Sequence, residues 1–167
     1  NKNRKNLKDK CFITVDGEDA KDFDDAVFCE INETGWVLYV AIADVSHYIK
    51  YNSPIDIDAK KRGFSVYFPN FVIPMLPEIL SNNLCSLREN EDKNVVVAKI
   101  NISKNGRFDK FSFFEGVIQS KARLTYDQAN AVIKNKKNLK NIEIKKNILN
   151  LHSLSKVLLK NRGKRNA

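Results

Sequence analysis

The sequence predicts an α+β fold, a mixed or antiparallel β-sheet with flanking helices. Runs rich in β-formers crowd the front of the chain, an irregular proline-bearing stretch follows, and helical periodicity comes last. That order departs from the regular βαβ alternation of a doubly wound sheet. Two glycine-bearing loops between apolar runs have the chemistry of hairpin connections, which join antiparallel strands. No internal repeat is visible.

Taken in order, residues 1–10 are polar and read as a linker or frayed end. Cys11–Val15, Ala26–Ile31 and Trp36–Ala43 are candidate strands. The last two flank Asn32-Glu33-Thr34-Gly35, with glycine where a hairpin loop needs positive φ. Trp36–Ala43 is apolar at every position, the pattern of a strand buried on both faces. Ser53-Pro54 reads as an N-cap with proline at the first helical position, opening a helix over Ile55–Arg62. Residues 68–87 hold three of the four prolines and predict an irregular segment with at most a short helix near Glu78–Asn82. Asn94–Ile102 and Arg107–Gln119 flank Asn105-Gly106, a strong hairpin signal. Thr125-x-x-Gln128 is a capping box, so a helix should cover Tyr126–Lys134. Ile148, Leu151, Leu154 and Leu158 keep helical spacing within an amphipathic helix over Ile142–Asn161. The polar ending, Arg162–Ala167, adds no element.

The chain has 167 residues, 43% hydrophobic and 29% charged, enough for one globular domain with a sizeable core. Its apolar runs fall well short of the roughly 20 residues a membrane helix needs, and Asn1–Lys10 leads into no signal-peptide core. No membrane partner is expected. Three cysteines, an odd number without a CxxC pair, argue against a disulfide framework or a zinc site and fit a reducing cytoplasm. The net charge is +9, unevenly placed. Residues 11–58 carry 11 Asp and Glu against two Lys, whereas residues 59–167 carry 22 Lys and Arg against eight acids. An acidic patch within a basic protein suits a metal-dependent enzyme acting on a polyanion. Basic surface attracts phosphates, and carboxylates hold the cation that offsets their repulsion. A lysine- and asparagine-rich composition bias, as in Lys134–Lys146, produces part of the same charge.

The chemistry concentrates in Asp16-Gly17-Glu18-Asp19-Ala20-Lys21-Asp22-Phe23-Asp24-Asp25-Ala26. Asp16, Asp22, Asp24 and Asp25 lie within ten residues between two strand candidates. Like charges so close resist joint ionisation, and a divalent cation reverses that penalty. Magnesium takes hard oxygen ligands and keeps several waters, so a few carboxylates suffice. Adjacent residues of an extended backbone point to opposite sides, so Asp24 and Asp25 should not both bind the same ion. An EF-hand loop counted from Asp16 fails, because its sixth position is Lys21 rather than Gly. A solvated acidic loop fits the residues alone as well.

The same segment resembles the signature of the ribonuclease II superfamily, whose catalytic unit is the RNB domain, and its wording is nearer the ribonuclease R type than the ribonuclease II type. Further motifs agree in order: Val40–Tyr48, Arg62–Pro69, Ile73–Pro77, Leu84–Leu87 and Ala122–Tyr126. The resemblance covers about residues 11–165 and implies a hydrolytic exoribonuclease that degrades RNA processively from its 3′ end to 5′-mononucleotides. By it, Asp16 and Asp25 would be magnesium ligands (manganese would also serve). Asp24 would hold a second metal or the attacking water, with Asp22 supporting the metal and the catalysis. Tyr67 matches a tyrosine that stacks near the 3′-terminal nucleotide, the RNA-binding role. Two cations about 3.5–4 Å apart can stabilise the attacking and leaving oxygens.

His47 invites a general-base role, but carboxylate-bound metal already supplies the nucleophile, and a structural role is expected for His47 and His152. Asp44 could support the site or cap a turn. The resemblance covers the front of a longer catalytic domain, here residues 11–167, which full-length enzymes flank with cold-shock and S1-type RNA-binding domains. An exposed apolar face, and therefore strong binding of a hydrophobic dye, is expected; a compact, dye-silent monomer would count against it. Two other functions fit the residues. One is a truncated, non-catalytic module that binds RNA or a partner protein; the other is a carboxylate-metal phosphoesterase acting on a small substrate.

Overall fold

Alternating burial along the strands organises the molecule, as period-two side-chain geometry requires. The computed structural model describes residues 3–136 and 138–164. Seven strands form one sheet: β1 (Lys5–Asn6), β2 (Ile13–Asp16), β3 (Asp25–Ile31), β4 (Gly35–Ala43), β7 (Asp92–Ser103), β8 (Phe108–Gln119) and β9 (Ala122–Thr125). Their order is β1-β8-β7-β4-β3-β2-β9. The two outermost pairings, β1 on β8 and β2 on β9, are parallel, and the inner ones are antiparallel. A small ribbon pairs β5 (Val66–Tyr67) with β6 (Val72–Ile73). The described residues also form α1 (Pro54–Arg62), which buries no residue, and α2 (Tyr126–Ile133) and α3 (Ile142–Lys164), which pack against the sheet. The mixed sheet with flanking helices is the expected α+β fold.

Local chemistry explains the connections. In the β3–β4 loop the Asn32 N–H donates to the Gly35 carbonyl at 2.9 Å, and Asn32 Oδ1 accepts from the N–H groups of Thr34 and Gly35. A Cβ on Gly35, whose φ is +152°, would stand 2.1 Å from the Ile102 carbonyl oxygen, so only glycine fits. Gly106, at φ +74°, turns the β7–β8 hairpin. Ser53 caps α1 through the Asp56 N–H, with Pro54 at its first position. Thr125 and Gln128 form the reciprocal capping box of α2.

β4 corrects the expectation of two buried faces. Val37, Tyr39, Ala41 and Ala43 are buried against Phe12, Ala26, Val95, Val97 and Ile118. On the other face Trp36 and Leu38 pack beneath Leu154 of α3, whereas Ile42 is 47% exposed. The helix covers only part of that face. Val96, Phe111 and Phe113 on the neighbouring strands are exposed too, which is the apolar surface the dye experiment reads.

The polar amino-terminal stretch, expected as a linker, is tied into the sheet wherever it is described. Lys5 and Asn6 pair with Gly116 and Val117 of β8. The Arg4 guanidinium forms a buried ion pair with Asp44. The proline-bearing segment is more ordered than expected. It contributes β6, which pairs with β5 just ahead of it, and then a π-helical turn over Leu80–Leu84, close to the expected short helix. Of the polar ending, residues 165–167 lie outside the described residues, and α3 itself runs three residues past Asn161. Cys11, Cys29 and Cys85 are buried thiols without disulfides. Among the described residues no helix is long and apolar enough to cross a membrane.

α3 also repairs the sheet. β2 and β3 share a single register pair, Ile13 with Val27. Beyond it, Asn147 of α3 accepts from the Cys29 N–H at 2.8 Å and donates to the carbonyls of Cys11 at 2.8 Å and Val27 at 3.2 Å. Asn150 donates to the Cys29 carbonyl at 2.9 Å. Both asparagines are buried, and they satisfy backbone groups that would otherwise be stranded at a cost of about 1–3 kcal/mol each.

Candidate active site

The acidic loop is the bend between two strands that barely pair. Asp16 ends β2 and Asp25 begins β3, leaving residues 17–24 to double back outside the ladder. Inside the loop, one backbone hydrogen bond closes a turn, from the Ala20 N–H to the Gly17 carbonyl at 3.3 Å. The remaining restraint comes from elsewhere in the fold. The fully buried Ser86 hydroxyl accepts from the Phe23 N–H at 3.0 Å and donates to the Lys21 carbonyl at 2.9 Å. The Leu87 N–H donates to the Phe23 carbonyl at 2.8 Å, and the Ala43 N–H donates to the Asp24 carbonyl at 2.9 Å. From β9, Arg123 Nη2 donates to the carbonyls of Gly17 at 2.7 Å and Glu18 at 2.6 Å.

Asp22, Asp24 and Tyr67 line one cleft of about 270 Å³, together with Ser65, Met75 and Cys85. The Tyr67 hydroxyl donates to Asp22 Oδ2 at 3.5 Å, yet the residue is 68% exposed, so its ring remains open to solvent. The negative charge of Asp22, then burial and the charge of Asp24, hold the Tyr67 phenol above its ordinary pKa. Asp16 and Asp25 are not among the residues lining this cleft.

The four carboxylates nevertheless sense one another. Asp24 is open to solvent, but the protein packed around its carboxyl, followed by the charges of Asp22, Asp25 and Asp16, raises its pKa above the ordinary 3.8. Burial is also the first cause of the raised pKa of Asp16; Asp25 and Asp22 add to it and Arg123 partly offsets it. A raised carboxyl pKa marks charge held without adequate compensation. Among the described residues no three His, Cys, Asp or Glu side chains stand together as a ready-made metal cage. The donor chemistry fits magnesium all the same, since that ion is commonly held by one or two carboxylates, its own waters and substrate phosphate. The carboxylates of Asp16, Asp22, Asp24 and Asp25 are the groups that could hold it.

Other candidates take structural places. Asp44 is buried; its carboxylate accepts from the Ser46 hydroxyl and the His47 N–H and pairs with Arg4. Burial opposes its charge, but these hydrogen bonds and the ion pair outweigh that and lower its pKa. Of the two expectations for Asp44, it fulfils the turn cap. His47 packs edge-on against Tyr48 with its Nδ1 3.5 Å from Arg4. His152 lies on α3, away from the cleft. Ser86 and Arg123 were not singled out from the sequence, although both sit inside quoted motifs, Leu84–Leu87 and Ala122–Tyr126.

Comparison with known proteins bears on this arrangement. Over 165 residues the chain is 47% identical to ribonuclease R of Escherichia coli, covering 97% of this chain and 20% of that protein. It is 52% identical over 134 residues to ribonuclease R of Mycoplasmopsis pulmonis, covering 80% of this chain and 18% of the relative. The fold superposes on Mycoplasma genitalium RNase R in complex with ribose-methylated single-stranded RNA with a TM-score of 0.95 at 41% identity, covering 99% of this chain and 26% of that one. The chain thus spans about a fifth of the length of the curated relatives it matches. Residues 4–167 match the RNB domain, and the chain belongs to the RNB domain family.

Proposed function

We propose that this chain is the catalytic region of a hydrolytic exoribonuclease that degrades single-stranded RNA processively from its 3′ end, releases 5′-mononucleotides and requires magnesium. The observation that carries the proposal is the convergence of Asp22, Asp24 and Tyr67 on one cleft, with Asp16 and Asp25 close enough to raise the pKa of Asp24. Membership of a family with ribonuclease R relatives supports it.

In this reading Tyr67 offers its open ring face to the 3′-terminal base and keeps its hydroxyl on Asp22. Asp16 and Asp25, at the two strand ends, would hold the divalent ion. Asp22 supports that site, and Asp24 orients the attacking water and draws off its proton. When bound, magnesium supplies charge neutralisation at the phosphate and acidifies water. Hydrolysis forms a bond from the water oxygen to phosphorus and breaks the bond from phosphorus to the 3′ oxygen, which takes up a proton.

Two results test the reading. Labelled single-stranded RNA incubated with magnesium yields 5′-mononucleotides from the 3′ end, and chelation stops their release. RNA binding that is salt-sensitive but indifferent to magnesium and to Asp→Asn changes would instead select a non-catalytic RNA-binding module. Activity on a nucleotide monoester but not on RNA would select the small-substrate phosphoesterase. For Tyr67→Ala the loss of about 1–3 kcal/mol of stacking raises KM for RNA about 5- to 150-fold, whereas Tyr67→Phe keeps KM near the wild-type value. Equal KM for both variants would remove Tyr67 from the RNA site.

A further inference from the structure

We propose that Arg123 is a positioning residue: it clamps the acidic loop so that Asp16 and the aspartates following it stand where a divalent cation can bind. This rests on the metal-dependent reading of the site above. β9 is an edge strand paired in parallel with β2, with Arg123 in register with Thr14 and Thr125 in register with Asp16. From that edge the side chain reaches the loop that begins where β2 ends. Its Nη2 donates to two successive carbonyls, Gly17 and Glu18, at the start of the loop. Its guanidinium carbon lies 5.5 Å from the ring centroid of Phe23, near the end of the loop. One side chain therefore touches both limbs of the bend. Ser86 holds the returning limb independently, at Lys21 and Phe23.

The choice of arginine has a physical reason. A cation beside a site that must attract another cation works against binding, yet Arg123 directs its close donors at carbonyls rather than carboxylates. The planar guanidinium can stack on Phe23 and grip two carbonyls at once, a combination a flexible ammonium does not reproduce. Without the clamp, residues 17–20 keep a single turn hydrogen bond of 3.3 Å and the loop entrance is free to open. Groups that orient metal ligands typically contribute about 10- to 100-fold to metal affinity.

The experiment compares wild type, Arg123→Ala and Arg123→Lys in the full chain without RNA. Manganese affinity is read by electron paramagnetic resonance, and loop protection by the rate of tryptic cleavage after Lys21, which is exposed. Both variants should bind manganese about 10- to 100-fold more weakly and be cut faster at Lys21, Arg123→Lys less severely. Free guanidinium should restore part of the affinity of Arg123→Ala. In RNA degradation kcat should fall while KM holds. Unchanged affinity and unchanged cleavage in both variants would overturn the proposal, as would a raised KM with a shallower salt dependence, the mark of a phosphate contact. If wild type binds no manganese, the metal-dependent reading fails, while faster Lys21 cleavage in Arg123→Lys would still establish the clamp and an unchanged rate would refute it.

Discussion

Asp24→Asn lowers RNA turnover about 10²–10³-fold, the scale of losing one electrostatic stabiliser of a transition state, while raising the melting temperature of the metal-free protein. The two effects share one cause. In the folded chain the packing around Asp24 and the charges of Asp22, Asp25 and Asp16 raise its pKa above 3.8. The unfolded chain therefore releases this proton more easily. As pH rises from 3.8 through the raised folded value, Asp24 costs stability, and the cost persists at neutral pH. Asparagine keeps the shape and removes the charge, so the apo protein gains stability where the enzyme loses chemistry. Full turnover in Asp24→Asn would refute the site assignment. A lower melting temperature would show that the carboxylate is already compensated.

Arg4→Met destabilises the protein by about 3–5 kcal/mol, because it leaves the buried Asp44 carboxylate without its cation. Both side chains of the pair are nearly inaccessible, at 6% and 3%. Arg4 also reaches the Val95 carbonyl at 3.4 Å and Glu115 at 3.4 Å, so it fastens the start of the chain to β7 and β8. Against a typical net stability of about 5–15 kcal/mol the loss is large. It should appear as a lower urea midpoint with an unchanged slope. The pair also sets acid sensitivity. The folded pKa of Asp44 is lowered, so its contribution is fully present above 3.8 and is lost as pH falls through the folded value. Arg4→Met should show less of this loss. Adding Asp44→Asn to Arg4→Met should recover much of the deficit, because it removes the stranded charge. An urea midpoint within error of wild type for the single variant would contradict this account.

What the sequence revealed and what it hid divide by the range of the interactions. The Asn32–Gly35 loop, the Ser53-Pro54 cap and the Thr125–Gln128 box were legible because each is satisfied within four residues. The parallel pairing of Lys5–Asn6 with Gly116–Val117 was not, since a two-residue strand carries no period and its partner lies over a hundred residues away. The second face of β4 was overestimated because the apolar run does not say how far α3 reaches across it. Asn147 and Asn150 share the helical face of Leu151 and Leu154, but nothing local shows that these buried amides substitute for the missing ladder bonds of a strand pair more than a hundred residues away. At the site, the crowding of Asp16, Asp22, Asp24 and Asp25 was visible as charge density. The restraints on the loop, Ser86 and Arg123, lie 63 to 106 residues from the groups they hold and carry no local signature.

Manganese titration of the metal-free chain, with bound ion counted by electron paramagnetic resonance and displaced by magnesium, tests the central claim most directly. The account predicts saturable binding that magnesium competes away and that Asp16→Asn and Asp25→Asn each weaken strongly. Binding absent up to millimolar manganese, or unaffected by either substitution, would show that these carboxylates form a solvated acidic loop and not a metal-dependent hydrolytic centre.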